Sequence, residues 1–351
     1  MVPGFRGSGV PALAETGLWE KEAPMLPEDM NVMEISAPGG PEALAPARRR
    51  VPAPGHGEVL LRILAAGVNG PDLLQRKGAY PPPPGASDLP GLEVAGEIVS
   101  LGEGVARWAV KDRVVALTNG GGYAEFVAVN ADHCLPVPTG LDPVDAAGLP
   151  ETYFTVWSNV FLGRDVPRGA NFLVQGGAGG IGSTAVQLGS ASGLAVFATA
   201  GGEEDCAFVE DLGAKRAIDY RTEDYLAVLK EAGGADIVLD ILGGSHVARH
   251  IRACRLDGRI ISLAFREGSK MELDLMPMML KRLTITGSTL RSRPDAFKAT
   301  VARDLEARVW PLFAEGRLRP VTDRVFPLAE AAEAHRTMEA GAHRGKVLLT
   351  P

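Results

Sequence analysis

A chain of 351 residues has room for two domains that each bury a core, and its 46% hydrophobic and 23% charged residues are those of an ordinary globular protein. The net charge of −7 argues against nucleic acid or an anionic membrane as partner, since the longest basic run is Arg48-Arg49-Arg50, read beside its prolines as a solvated loop. No apolar run nears the roughly 18 residues that span a bilayer, and three scattered cysteines, Cys134, Cys206 and Cys254, form no disulfide framework, which points to a reducing cytoplasm.

Residues 1–27 are rich in Gly, Pro and acid and lack the continuous apolar core of a signal peptide. They read as a poorly ordered extension, or as the product of a start codon placed too early. From 28 to 150 the texture is that of short strands. Residues 58–66, 93–100, 113–117 and 123–129 carry β-formers between Gly and Pro clusters, with turn or extended-loop signals at Asn119-Gly120-Gly121-Gly122 and at prolines 81–84. This predicts a compact, barrel-like β domain.

Beyond 150 the pattern changes. Apolar strands at 171–175, 194–200, 217–220, 236–241 and 259–265 alternate with helix-compatible stretches, the first over 183–190. Such alternation predicts an α/β, doubly wound parallel sheet. A last strand at 283–288 has little chain before it for a crossover, so it is expected at an edge, open to pairing with a second copy in a homodimer or homotetramer. The tail, 305–351, reads as helical and then as a strand at 346–350.

The motif that carries chemistry is Gly177-Ala178-Gly179-Gly180-Ile181-Gly182. It follows an apolar strand and opens a helix, the context in which GxGxxG binds a dinucleotide. Gly177 permits the tight turn, Gly179 lets backbone N–H groups reach a pyrophosphate, Gly180 and Ile181 open the helix, and Gly182 allows close helix–strand packing. A plain tight turn is the alternative. About 20 residues further on, NAD sites place a carboxylate on the ribose 2′-OH. Here Ala200-Gly201-Gly202 leaves room at Gly201 for a 2′-phosphate, and Tyr220 and Arg221 offer a ring edge and a charge, but Glu203, Glu204 and Asp205 repel one. NADPH is the expected cofactor, with NADH open.

Further motifs are Ala66-Gly67-Val68-Asn69-Gly70-Pro71-Asp72, Tyr80-Pro81-Pro82-Pro83, Gly91-Leu92-Glu93-Val94-Ala95-Gly96, Glu151-Thr152-Tyr153-Phe154-Thr155-Val156-Trp157, Leu239-Asp240-Ile241-Leu242-Gly243-Gly244 and Gly345-Lys346-Val347-Leu348-Leu349. With the glycine loop, this ordered set resembles the zeta-crystallin-like NAD(P)H quinone oxidoreductases of the medium-chain dehydrogenase/reductase superfamily, from about residue 30 to the C-terminus. The resemblance implies a GroES-like catalytic domain, 28–150 plus 293–351, with a Rossmann domain, 151–292, inserted between. It implies that Asn69 and Tyr80 stand at the substrate end of the nicotinamide pocket, as donors to the acceptor oxygen, and that Thr155 lies beside the nicotinamide. Ile241 ends a parallel strand, where α/β sheets bind ligands, and Phe265 ends the next and is a candidate wall for the ring. The plainer alternatives are a turn cap for Asn69, packing for Tyr80 and Phe265, a helix hydroxyl for Thr155, a helix N-terminal residue for Asp72, and surface or interface ion pairs for Arg291 and Arg293.

Zinc relatives in this superfamily hold their metal with a cysteine in a CGxD-like motif and the histidine of GHE. Asn69 and Leu92 stand in those places, the four-cysteine lobe is absent, and the six histidines are dispersed. Zinc independence is therefore expected, and each histidine reads as a surface or packing residue. Asp205 stands where the family often has a lysine near the 2′-phosphate, and Leu74 where some relatives have a site tyrosine. Without a Lewis acid, the natural substrate accepts hydride readily, as a quinone or conjugated carbonyl does. The expected activity is hydride transfer from NADPH to a quinone. The alternatives are reduction of 2-enals, enones or enoyl thioesters, and, in another class, a non-catalytic dinucleotide-binding structural or regulatory protein.

Overall fold

The computed structural model of the chain describes Met1 and residues 26–351; the extension expected over 1–27 lies, but for its ends, outside the described residues. The first part of the chain forms β1 (Asp29–Ile35), β2 (Leu44–Arg50), β3 (Glu58–Val68), β4 (Glu93–Leu101), β5 (Arg113–Leu117), β6 (Phe126–Asn130) and β7 (Cys134–Pro136). The second part supplies β8 (Asn171–Val174), β9 (Ala195–Ala200), β10 (Arg216–Asp219), β11 (Ala235–Asp240), β12 (Cys254–Ser262) and β13 (Thr284–Gly287), and the chain ends with β14 (Thr322–Pro327) and β15 (Lys346–Thr350).

Two principal sheets result. In the first, β14-β15-β3-β4-β5-β7 lie in that order with β6 added on β3. Val59, Leu60, Leu61, Ile63, Ala65 and Ala66 are all buried, so β3 runs through the interior rather than along a wetted face. The second sheet is wholly parallel in the order β10-β9-β8-β11-β12-β13. This is the doubly wound Rossmann order, whose switch point falls between β8 and β11 at their C-terminal ends. Phe172, Leu173 and Val174 of β8 are sealed on both faces, as a central parallel strand requires. The helix Gly180–Ala191 follows β8 and stops at Gly193, whose φ of 80° lets the Leu194 N–H return to the Gly189 carbonyl. β13 lies at the expected edge.

The two sheets meet through the helix Pro150–Val160, which packs against both Gly180–Ala191 and Asp295–Arg308, with Trp157 Nε1 donating to Asp304 (2.7 Å). A second tie is direct: Gly345 N–H donates to the Ala178 carbonyl at 2.8 Å, joining the C-terminal segment to the glycine loop.

Several expectations change. Arg48-Arg49-Arg50 is not a loop but the end of β2, paired along its whole length with β1. Arg49 reaches Glu34 at 2.7 Å, and such outward charge on an exposed hairpin imitates loop composition. The strand expected at 123–129 starts only at Phe126, because Tyr123 and Ala124 turn to meet Met33 and Val32 of β1. The strand expected at 259–265 ends at Ser262 and leaves Phe265 in the following loop. β14, with two aspartate or arginine side chains in its middle and a proline at its end, gave no strand signal, yet pairs in parallel with β15. No helix among the described residues is long and apolar enough to cross a membrane.

Candidate active site

The cleft is built where β3 ends. Asn69 follows β3 and leads into the helix Gly70–Arg76, whose third residue, Asp72, accepts the N–H groups of Asn69 (2.8 Å) and Gly91 (2.9 Å). Burial pushes the Asp72 carboxyl up to about 6 against those two hydrogen bonds. Its work is to fasten the loop before β4 to the helix entry, the N-terminal role read from its sequence position.

Glu93, first residue of β4, is completely buried and accepts from three directions. Its Oε1 receives the Asn69 amide (2.9 Å) and the Lys346 ammonium (2.6 Å), and its Oε2 receives the Glu151 backbone N–H (2.8 Å). Lys346 Nζ also donates to Asn69 Oδ1 (2.6 Å) and to the Val68 carbonyl (3.1 Å). Gly67 makes this possible, since a Cβ there would overlap Glu93 Oε1. These contacts correct the expectation for Asn69. With only 6% of its surface exposed and both ends of its amide engaged, it has no donor to spare for an acceptor; its remaining N–H points to the Gly67 carbonyl at 3.4 Å. It holds Lys346 and Glu93 in register instead.

Tyr80 is half-buried, and its hydroxyl has no hydrogen-bond partner among the described residues. Burial first, and then the Glu151 carboxyl, raise its pKa. The Arg291 guanidinium lies 5.7 Å from its ring centre. The surface or interface ion pair expected of Arg291 is not what the fold makes. Arg291 is buried, donating to the Asn119 carbonyl (2.7 and 2.9 Å) and to Gln75 Oε1 (2.8 Å), and Lys298 joins it through Asn119 Oδ1 (2.7 Å) and the Arg291 carbonyl (2.8 Å). His335 is likewise interior, set between Arg76 (3.1 Å) and the Tyr123 hydroxyl (2.9 Å), a packing histidine as read from the sequence.

On the Rossmann side, Gly177 to Gly182 form an open cradle. A Cβ at Gly177 would stand 2.9 Å from that of Ala198, and one at Gly182 would overlap the Gly176 carbonyl, so neither position tolerates a side chain. At Gly179, by contrast, nothing but the Gly176 carbonyl lies within 4 Å. This glycine caps the helix Gly180–Ala191 and leaves its N-terminal N–H groups facing open space, as a pyrophosphate needs. Ile241 lies part-buried beside Gly176, Thr155 is part-buried on the helix Pro150–Val160, and Phe265 is half exposed and lies against Gly243.

The alcohol dehydrogenase GroES-like domain family matches residues 55–139, and the zinc-binding dehydrogenase family matches 212–349. The quinone oxidoreductase of Rattus norvegicus is 32% identical over 327 residues, covering 91% of this chain and 97% of its own. The chain belongs to the quinone oxidoreductase family.

It is an oxidoreductase of the medium-chain type, with a GroES-like domain and a Rossmann-type sheet. Family members differ in their names: the human synaptic vesicle membrane protein VAT-1 homolog is also 32% identical, over 86% of this chain and 80% of its own. Among solved structures, a mycobacterial protein complexed with NADPH superposes with a TM-score of 0.80 at 27% identity, covering 92% of this chain and 100% of that one.

After β9, Gly201 lies under Tyr220, whose hydroxyl is 2.6 Å from where a Cβ would stand, and the Arg221 guanidinium covers Gly202. Asp205 and Glu204 do not stand uncompensated. Arg344, from the segment just before β15, reaches Asp205 at 2.7 Å and Glu204 at 3.0 Å. Sequence reasoning missed four residues here: Glu93, Glu151, Lys346 and Arg344. Three of them lay inside motifs already noticed and Arg344 directly beside one, but their partners are distant along the chain.

Proposed function

We propose that this protein transfers hydride from NADPH to a quinone, or to a conjugated carbonyl of similar reactivity, without zinc. The observation that carries the reading is the Lys346 ammonium, seated against Asn69 Oδ1, Glu93 Oε1 and the Val68 carbonyl in the region where zinc relatives hold their metal. A fixed positive charge there repels a metal ion, and Asn69 and Leu92 offer it no ligand. No group of three His, Cys, Asp or Glu suited to a metal occurs among the described residues. These residues do not suit zinc, which favours an acceptor that takes hydride without a Lewis acid.

The residues do fit a dinucleotide. NADPH, when bound, supplies the hydride. Gly177, Gly179, Gly180, Ile181 and Gly182 would hold its pyrophosphate, and Thr155, Ile241 and Phe265 the nicotinamide. Gly201, Tyr220 and Arg221, with Arg344 drawing the charge of Asp205 and Glu204 away, would hold the adenosine 2′-phosphate. The protein's own part is to orient the acceptor, exclude water and place Tyr80 Oη as a donor to the acceptor oxygen.

The division into 28–150 plus 293–351 and 151–292 is part of the same reading, supported by the two sheets. So is pairing of two copies along β13, where an open strand edge adjoins the exposed side chains of Leu275, Met276, Met279 and Leu280. A cytoplasmic location accords with three free cysteines.

A turnover panel tests the activity. With NADPH as reductant, quinones are expected to be reduced fastest, ahead of 2-enals and enoyl thioesters, and a chelator is expected to change nothing. Tight NADPH binding with no reduction of any acceptor would favour a non-catalytic role.

A further inference from the structure

Glu151 is the second residue of the helix Pro150–Val160. The residues of that helix left part-exposed are Glu151, Thr155, Ser158 and Asn159, spaced as one stripe along the side that the core does not cover. Glu151 thus stands one turn from Thr155, the residue assigned above to the nicotinamide. Neither of its carboxyl oxygens has a protein hydrogen-bond partner among the described residues, although its own backbone N–H is held by Glu93. The other charged groups of the centre are engaged: Asp72 by two backbone N–H groups, Glu93 by Lys346 and Asn69, Arg291 and Lys298 by Asn119.

The charges around Glu151 come from each element packed on it: Glu93 on β4, Asp72 on the helix Gly70–Arg76, Lys346 on β15 and Lys298 on the helix Asp295–Arg308, with Tyr80 and Arg291 near the cleft. Lys346 pairs with Glu93 instead, and Arg291 and Lys298 donate to Asn119, so no cation hydrogen-bonds the Glu151 carboxyl. Burial first, and then Glu93, push the Glu151 carboxyl up to about 8. Its surroundings therefore favour the protonated form.

We propose that Glu151 is the catalytic acid, giving its carboxyl proton to the acceptor oxygen that the hydride has left negatively charged. The inference rests on the quinone reading above. A quinone takes one hydride to become a hydroquinone monoanion; the O–H bond of Glu151 then breaks and an O–H bond forms on the hydroquinone. Glu151 is left as a carboxylate and regains a proton from water along its exposed edge. Atoms and charge balance without any further reactant.

The test measures kcat for oxidation of saturating NADPH by tetramethyl-1,4-benzoquinone between pH 6 and 9.5, for the parent and for Glu151→Gln. A positioned acid contributes on the order of 100-fold or more. The parent is expected to be fastest below pH 8 and to fall as pH rises through it, because the acid form is lost. Glu151→Gln is expected to be about 100-fold slower at pH 7, with no such limb and with an unchanged Kd for NADPH. Infrared difference spectra of the cofactor-free protein add a readout independent of turnover: a protonated carboxyl band at pH 7 in the parent, absent from the variant. A parent rate flat to pH 9.5, or no protonated carboxyl at pH 7, overturns the proposal even where the variant does not fold. So does a variant that keeps the parent's rate and its limb. A parent that oxidises no NADPH with any quinone fails at the underlying reading, and the acid role falls with it.

Discussion

Lys346 and Glu93 form a buried pair whose value is conditional. Removing one member strands the other charge in the interior, which costs about 3–5 kcal/mol, whereas removing both leaves little penalty. Lys346→Met is accordingly expected to lower unfolding free energy by about that amount, and Lys346→Met with Glu93→Gln to recover most of it. Urea denaturation of the two single variants and the double variant measures the cycle; strictly additive losses would mean that the pair is not coupled. None of this coupling was legible in the chain, because Asn69 and Lys346 are 277 residues apart and nothing local marks an ammonium as their link. What the sequence did carry was the absence of zinc ligands at Asn69 and Leu92. It could not say that a lysine fills the place, nor that the Asn69 amide is spent on it.

The elements divide by how local their causes are. The glycine loop was legible because strand, turn and helix are adjacent, with Gly182 answering to Gly176 and Gly177 to Ala198 on the next strand. β2 and β14 were not, since their arginines and prolines read as loop. The same limit hid the adenosine end. Glu203, Glu204 and Asp205 argue against a phosphate on their own, and only the fold brings Arg344 onto them. Charge-assisted contacts of this kind contribute about 1.5–3 kcal/mol, or roughly tenfold to a hundredfold in affinity. Arg344→Glu is expected to weaken NADPH at least tenfold while leaving NADH within about twofold, as read by fluorescence titration. Equal weakening of both would remove Arg344 from the 2′-phosphate site.

At the scale of the whole molecule, an open parallel edge beside exposed methionines invites a partner. The chain is expected to sediment as a dimer or a tetramer, and Ile285→Lys with Met279→Glu to shift it toward monomer without loss of NADPH binding. A parent that sediments as a monomer at all concentrations would leave β13 without that role. The cofactor cleft depends on both sheets at once: the cradle comes from the parallel sheet, while Lys346, Glu93 and Tyr80 come from the other part of the chain, joined through the helix Pro150–Val160 and the Gly345–Ala178 contact. The central claim is that this assembled cleft moves hydride from NADPH to a quinone with no metal. Stopped-flow oxidation of NADPH and NADH by tetramethyl-1,4-benzoquinone, in the presence of chelator, tests it most directly. The expected result is a single-exponential loss of reduced nicotinamide, faster for NADPH than for NADH and unchanged by the chelator; no loss with either cofactor, or activity restored only by zinc, would contradict it.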